Sequence, residues 1–194
     1  MYQKIITSLL FAITISVNAQ ESISEQPRAS VEKSVFSVQT GLVGIWGNNE
    51  LRLSNQFALR TEIGLELLSF SYAYSDDTTY GAVPVFSVEP KWYYNLEKRV
   101  RKGRNIAGNS GNSFSVKINY LSPNAFIISD VDDYVGVDQL NIIPKWSIRR
   151  VYKKHFIFET GFGVGPAIAV GKYAKYSGNG DIYVDLHARI GYCF

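Results

Sequence analysis

Asp185, His187 and Arg189 stand at alternate positions near the end of the chain. A carboxylate, an imidazole and a guanidinium on one face are raw material for acid–base chemistry. In an extended strand residues i, i+2 and i+4 share a face, so these three would meet. Cys193 falls on the same parity and adds a thiol, whose reactivity depends on thiolate character. Gly161-Phe162-Gly163-Val164-Gly165 has the outline of a phosphate-cradling turn, but such a cradle needs a helix after it, and Pro166 interrupts. Asp130, Asp132, Asp133 and Gly136 match part of a calcium loop. Tyr134 takes the fifth ligand position there, and Asn141 the twelfth, where a bidentate Glu belongs. The remaining concentration of chemistry is a basic run, Lys98, Arg99, Arg101, Lys102 and Arg104.

What these residues can do depends on the elements that hold them. From Asp181 to Phe194 the chain alternates almost without exception. Ile182, Val184, Leu186, Ala188, Ile190, Tyr192 and Phe194 are apolar, and the intervening positions are charged, polar or small. An Asp, a His and an Arg on the buried face of a strand would ruin a soluble core, but they suit a strand with lipid on one side and a polar lumen on the other. The same logic recurs upstream. Phe57, Leu59, Thr61, Ile63, Leu65 and Leu67 oppose Ala58, Arg60, Glu62, Gly64 and Glu66. Strands are expected at 83–94, 113–121, 139–150 and 155–170, with a bulge or break at Pro90. The stretch 34–53 reads either as one long strand or as two joined at a Gly47-Asn48-Asn49 turn, with a further turn at Ser54-Asn55-Gln56. Counted as two, it makes eight strands, an even number that places both termini in the periplasm. Trp92, Tyr94, Phe114, Trp146, Phe156 and Phe194 gather near the periplasmic strand ends; Tyr72, Tyr74, Phe86 and Tyr120 gather near the others, as interfacial girdles would.

The chain opens with Lys4, an apolar stretch from Ile5 to Val17 and the small-residue site Val17-Asn18-Ala19, the pattern of a secretory signal peptide over residues 1–19. Residues 20–33 read as a disordered periplasmic lead-in and 34–194 as the barrel. Thirteen Tyr, 16 Gly and a mean hydropathy near zero fit strands that are half apolar and half polar. One Cys excludes a disulfide framework. A net charge of +3 and export from the cytoplasm argue against a nucleic-acid partner.

The inward charges are then Arg60, Lys91, Lys117, Lys145, Arg149 and Arg189 against Glu62, Glu66, Glu89, Glu159 and Asp185, with His187 among them. An eight-stranded barrel has room only for side chains, and an unpaired buried charge costs several kcal/mol. The interior therefore reads as a closed, salt-bridged plug, and Asp185, His187 and Arg189 as part of it and not as a catalytic site. Cys193 reads as structural, the glycines of 161–165 as small inward residues, and the Asp130–Gly136 loop as a solvated acidic segment, with loose divalent-ion bridging to lipopolysaccharide as its functional alternative. No cofactor, metal or catalytic residue is assigned. The basic run reads as a loop near anionic headgroups, or as a docking point for a cell-wall or periplasmic partner.

The segments LRLSNQFALRTEIGL, EPKWYYNLEKRVRKGRNIAGNSGNSFSV and IIPKWSIRR…FETGFGVG resemble a family of small, uncharacterised outer-membrane β-barrel proteins of Gram-negative bacteria, across essentially the whole mature chain. The architecture is similar to that of small OmpA/OmpX-type barrels. Ile190, Tyr192 and Phe194 resemble the C-terminal signal by which the barrel-assembly machinery recognises such chains. The resemblance implies an all-β, eight-stranded, antiparallel, up-and-down transmembrane barrel in the outer membrane, in contact with its lipid and lipopolysaccharide. It transfers no functional residue. The expected function is a non-enzymatic structural or loop-binding envelope role without an open pore. The alternatives are an enzyme modifying lipid A or phospholipid, a small-solute channel, or a soluble periplasmic β-domain.

Overall fold

The computed structural model describes residues 29–71, 78–123, 128–129, 137–172, 174–176 and 181–194. The segment 1–19, the loop residues Tyr72, Tyr74, Asp130, Asp132, Asp133, Tyr134 and Gly136, and the lead-in up to residue 28 lie outside them. The strands are β1 Ser34–Gly41, β2 Gly44–Arg52, β3 Phe57–Ser71, β4 Thr78–Trp92, β5 Gly111–Leu121, the two-residue β6 Ile128–Ser129, β7 Asp138–Tyr152, β8 Phe156–Val170 and β9 Asp181–Cys193. Each pairs antiparallel with its sequence neighbour; β6 is a side branch on β4, and β1 pairs with β9. The result is an all-β, closed, eight-stranded, up-and-down barrel. We call the end holding Ala29 and Phe194 the base and the opposite end the rim.

Period-two patterning sorts the side chains. Along β5 the burial alternates at every residue, and β7 and β8 follow the same rhythm. The outer face carries exposed apolar side chains on every barrel strand, among them Phe36, Ile63, Phe86, Phe114, Ile142, Phe162 and Leu186. At the base an aromatic belt forms. Trp92 stacks on Phe57 (6.3 Å), Tyr94 tilts against Phe114 (5.3 Å), and Trp146 Nε1 donates to the Tyr94 hydroxyl (3.0 Å). His155 stacks on Tyr192 (4.9 Å), which meets Phe194 edge-on.

Three features depart from the sequence reading. The segment 34–53 is two strands, but the turn is Leu42-Val43, not Gly47-Asn48-Asn49. Gly41 and Gly44 flank it because any Cβ there would meet backbone: Ala188 O at 2.8 Å from Gly41, and the Leu65 carbonyl from Gly44. The two-residue turn reverses the parity, so Trp46, Asn48 and Glu50 point inward on β2. Second, of the bulge or break expected at Pro90, β4 shows the break alone. Its ladder to β5 lapses only between Val88↔Ile118 and Lys91↔Ser115, with the register kept, as the missing N–H requires. Third, the lead-in is ordered from Ala29 onward. Val31 N–H donates to Asn55 O (3.0 Å) and Arg52 N–H to Lys33 O (3.0 Å), and Ala29 and Val31 pack on Ala58, Tyr93 and Leu96.

The long connection after β4 is not a loose loop. It holds the helix α1 Leu96–Arg101 and a 3-10 turn Ala107–Asn109, and it folds across the base together with residues 29–33. Gly108 N–H donates to Glu32 Oε1 (2.7 Å) and Glu32 N–H to Asn109 Oδ1 (2.8 Å). Asn105 Nδ2 reaches Val151 O (3.0 Å).

Candidate functional site

The period-two alternation carries all twelve inward residues, Arg60 through Arg189, into the barrel, where each is buried. Glu50 joins them from β2. With it the described interior holds six cations and six anions, apart from His187.

Near the base the charges converge on two carboxylates. Glu159 accepts from Arg60 Nη1 and Nη2 (2.8 and 2.6 Å), Arg149 Nη1 (3.1 Å), Lys91 Nζ (3.2 Å) and Gln39 Nε2 (3.2 Å). Glu50 faces Arg60 (2.8 Å), Lys91 (3.4 Å) and Arg149 (3.5 Å), and also accepts from the Tyr93 hydroxyl (2.9 Å) and Asn109 Nδ2 (2.7 Å). Asn109 belongs to the base cap, and Arg149 Nε donates to Gly108 O (2.9 Å), so cap and interior are one hydrogen-bonded unit.

Higher up, Arg189 Nη1 meets Glu62 (2.7 Å) and its guanidinium stacks on Trp46 (3.7 Å). Lys117 lies 3.6 Å from both Glu62 and Asp185, and Lys145 3.0 Å from Asp185. Ser115 donates to Glu89 (2.6 Å), which stands 4.0 Å from Arg60 and joins the two halves. His187 Nδ1 is 2.9 Å from Asp185 Oδ1. Glu66 is different: it accepts from Trp46 Nε1 (3.2 Å) and the Tyr183 hydroxyl (3.4 Å) and forms no ion pair among the described residues.

Buried charges in this number need partners, because leaving one unpaired costs several kcal/mol. Satisfaction is nearly complete. Asn119 and Asn141, opposite each other on β5 and β7, leave their amides without a protein partner, as do His187 Nε2, Arg149 Nη2 and Arg189 Nε.

The other sequence candidates separate. Cys193 is buried at the base with its thiol donating to Lys154 O (3.3 Å). Gly161, Gly163 and Gly165 lie within β8, followed among the described residues by the 3-10 turn Ala174–Tyr176 and no α-helix. Of the basic run, Lys98, Arg101, Lys102 and Arg104 are exposed, whereas Arg99 turns in and donates to Asn105 O (2.7 Å). Burial, and then the charge of Arg104, pull Arg99 below the ordinary guanidinium pKa. Among the described residues no group of His, Cys, Asp and Glu is placed to hold a metal.

Glu50, Trp46 and Asn48 are the interior residues that the sequence reading missed. Their signal was arithmetic: six inward cations against five anions left one carboxylate to find. No family model, curated protein or solved structure matches the chain.

Proposed function

We propose that this chain is an integral outer-membrane barrel with a non-enzymatic envelope role, either structural or binding through its rim loops, and with no open pore. The observation that carries the reading is the outer face: a continuous coat of exposed apolar side chains around a barrel whose interior is charged. In water that coat would be an aggregation surface far beyond what monomers expose. In a bilayer it is the expected exterior of a spanning barrel, with the aromatic belt at the base as one interfacial girdle. No helix among the described residues is long and apolar enough to cross a membrane; crossing by strands is a separate matter.

In this reading the base faces the periplasm and the rim the exterior. The signal segment 1–19 directs export, and the barrel-assembly machinery inserts the chain through Ile190, Tyr192 and Phe194. The exposed cations Lys98, Arg101, Lys102 and Arg104 lie beside anionic headgroups at the periplasmic face. The family proposed is the small Gram-negative outer-membrane barrels whose segments this chain resembles.

The deciding experiment is fractionation of expressing cells combined with gel migration with and without boiling. The protein is expected in the outer-membrane fraction, with a compact form that boiling converts to a slower one. Recovery in the soluble periplasm, with no heat-modifiable form, would refute the membrane reading.

Occlusion makes a separate prediction. Paired charges fill the interior and the cap covers the base, so purified protein in planar bilayers is expected to give no stable conductance. Persistent channels of nanosiemens size would contradict a closed plug.

A further inference from the structure

The barrel closes at the base, but among the described residues its wall is incomplete toward the rim. β1 and β2 have eight and nine residues, against fifteen in β3, β4, β7 and β8. β1 joins β9 only up to Gly41↔Arg189, and β2 joins β3 only up to Gly44↔Glu66, with Leu67 N–H closing on Val43 O (2.7 Å). Beyond that level β9 continues from Ala188 to Asp181, and the described residues supply no strand on that side. At ~3.3 Å per residue the unpaired edge is about 25 Å long; three strand spacings of ~4.8 Å make the notch about 14 Å wide at the hairpin tip.

The notch is greasy. Turns favour Gly, Asn, Asp and Ser, yet this tip is Leu42-Val43, with Leu42 90% exposed. Ile182, Val184, Leu186 and Leu67 stand exposed along its sides. The exposed apolar positions of β9 continue past the level of the tip, so the hairpin ends inside the apolar band. The notch therefore opens to lipid, an inference that rests on the membrane reading above.

Behind it lies a cavity of ≈170 Å³, lined by Trp46, Glu66, Lys117, Tyr183, Asp185, His187 and Arg189, with Val43, Leu67, Val184 and Leu186 at the notch. It is smaller than a drug-sized pocket and suits a headgroup. Its chemistry selects one. Lys117 and Arg189 are already paired, while Glu66 forms no ion pair among the described residues. Asp185 is an acceptor only, so His187 Nδ1 carries the hydrogen between them. With that hydrogen on Nδ1, the buried, unpartnered Nε2 accepts in the neutral ring, the form that a neighbouring ammonium favours. A carboxylate that has hydrogen bonds but no ion pair and a ring nitrogen without a partner fit an ammonium. The four cavity charges, Glu66, Asp185, Lys117 and Arg189, cancel, so a zwitterion keeps the site neutral and an anionic headgroup does not. Outside, on the β1–β3 face below the tip, an apolar groove of ≈370 Å³ runs past Phe36, Val38, Ile63 and Phe86. Gly47 leaves it open: a Cβ there would meet only Ile63 O, at 4.0 Å.

We propose that the notch is a lateral entrance for a membrane lipid with an ammonium headgroup, which Glu66 and His187 hold while an acyl chain lies in the Gly47 groove. The test presents purified protein with equal phosphatidylethanolamine and phosphatidylglycerol in mixed micelles and reads bound lipid by native mass spectrometry. Wild type is expected to retain the ethanolamine lipid in preference. Glu66→Gln is expected to weaken that retention about tenfold, the scale of one lost charge-assisted hydrogen bond. Gly47→Trp, which touches no interior charge, is expected to weaken both lipids. A photo-crosslinking residue at Leu186 is expected to capture lipid in membranes. Equal retention of the two lipids, or retention unchanged in both variants, overturns the proposal. A crosslink to protein alone also overturns it, because the free β9 edge then pairs with another chain. Heat-modifiable migration of each variant separates these failures from failure of the membrane reading itself.

Discussion

Glu159→Ala is expected to destabilise the barrel by about 3–5 kcal/mol, the scale of breaking a buried ion pair from one side. The size follows from what one carboxylate does. It accepts two bonds from Arg60 and one each from Arg149, Lys91 and Gln39. Without it three buried cations are left to share Glu50, whose second oxygen is already occupied by Tyr93 and Asn109, with only the 4.0 Å contact of Arg60 to Glu89 besides. All three cations are 1% exposed or less, so water cannot easily take the carboxylate's place. Urea unfolding in detergent micelles measures the loss, with boiled and unboiled migration as the check on folding. Lys102→Ala, on the exposed part of the basic run, is the control and is expected to change stability by less than about 0.5 kcal/mol. A loss below about 1 kcal/mol for Glu159→Ala would mean that water reaches the lower interior, and the closed-plug reading would fall with it.

How much of this was legible before the structure depends on where the side-chain period runs unbroken. Over 57–67 of β3 and 81–92 of β4, and along β5, β7, β8 and β9, the alternation continues, so Arg60, Lys117 or Asp185 can be assigned a face by counting. It fails at the first hairpin. Leu42-Val43 does not look like a turn, because turn preferences describe turns that meet water. Gly47-Asn48-Asn49 does look like one, but Asn48 is polar for another reason: it accepts from Ser37 Oγ (2.7 Å) and donates to Gln39 (3.3 Å) inside the barrel. A misplaced two-residue turn flips parity, and that alone hid Trp46 and Glu50. The cap was illegible for a different reason. Tyr93, Leu96 and Ile106 bury themselves with Val31 across a long sequence separation, and neither a two- nor a 3.6-residue period marks so short a helix. The notch could not be read at all, since it is defined by strands that stop, and strand ends are where patterning is weakest.

The inward glycines of β8 carry the second large prediction. Read from sequence, they are small inward residues of the strand. The structure gives them a task, the close approach of the neighbouring strand. A Cβ on Gly165 would run into the Ile142 carbonyl oxygen and lie 2.8 Å from the carbonyl carbon and 3.0 Å from Ile143 Cα; one on Gly163 would lie 2.7 Å from Pro144 O. The β7–β8 ladder lapses at this level, between Asn141↔Ala167 and Lys145↔Gly163, and resumes in the same register. Pro144 and Pro166 sit in the lapse, each lacking the N–H of a ladder bond. Backbone that approaches this closely cannot yield as a side chain tip would. Gly165→Val is therefore expected to cost about 3 kcal/mol and to lower the heat-modifiable fraction on refolding. Gly47→Ala faces open space and is expected to be neutral or to gain a few tenths of a kcal/mol from a less flexible unfolded chain. If Gly165→Val instead folds with wild-type stability, β7 and β8 can part at the prolines. The wall would then have a second weak seam, and the notch beside β9 would lose its claim to be the lateral entrance.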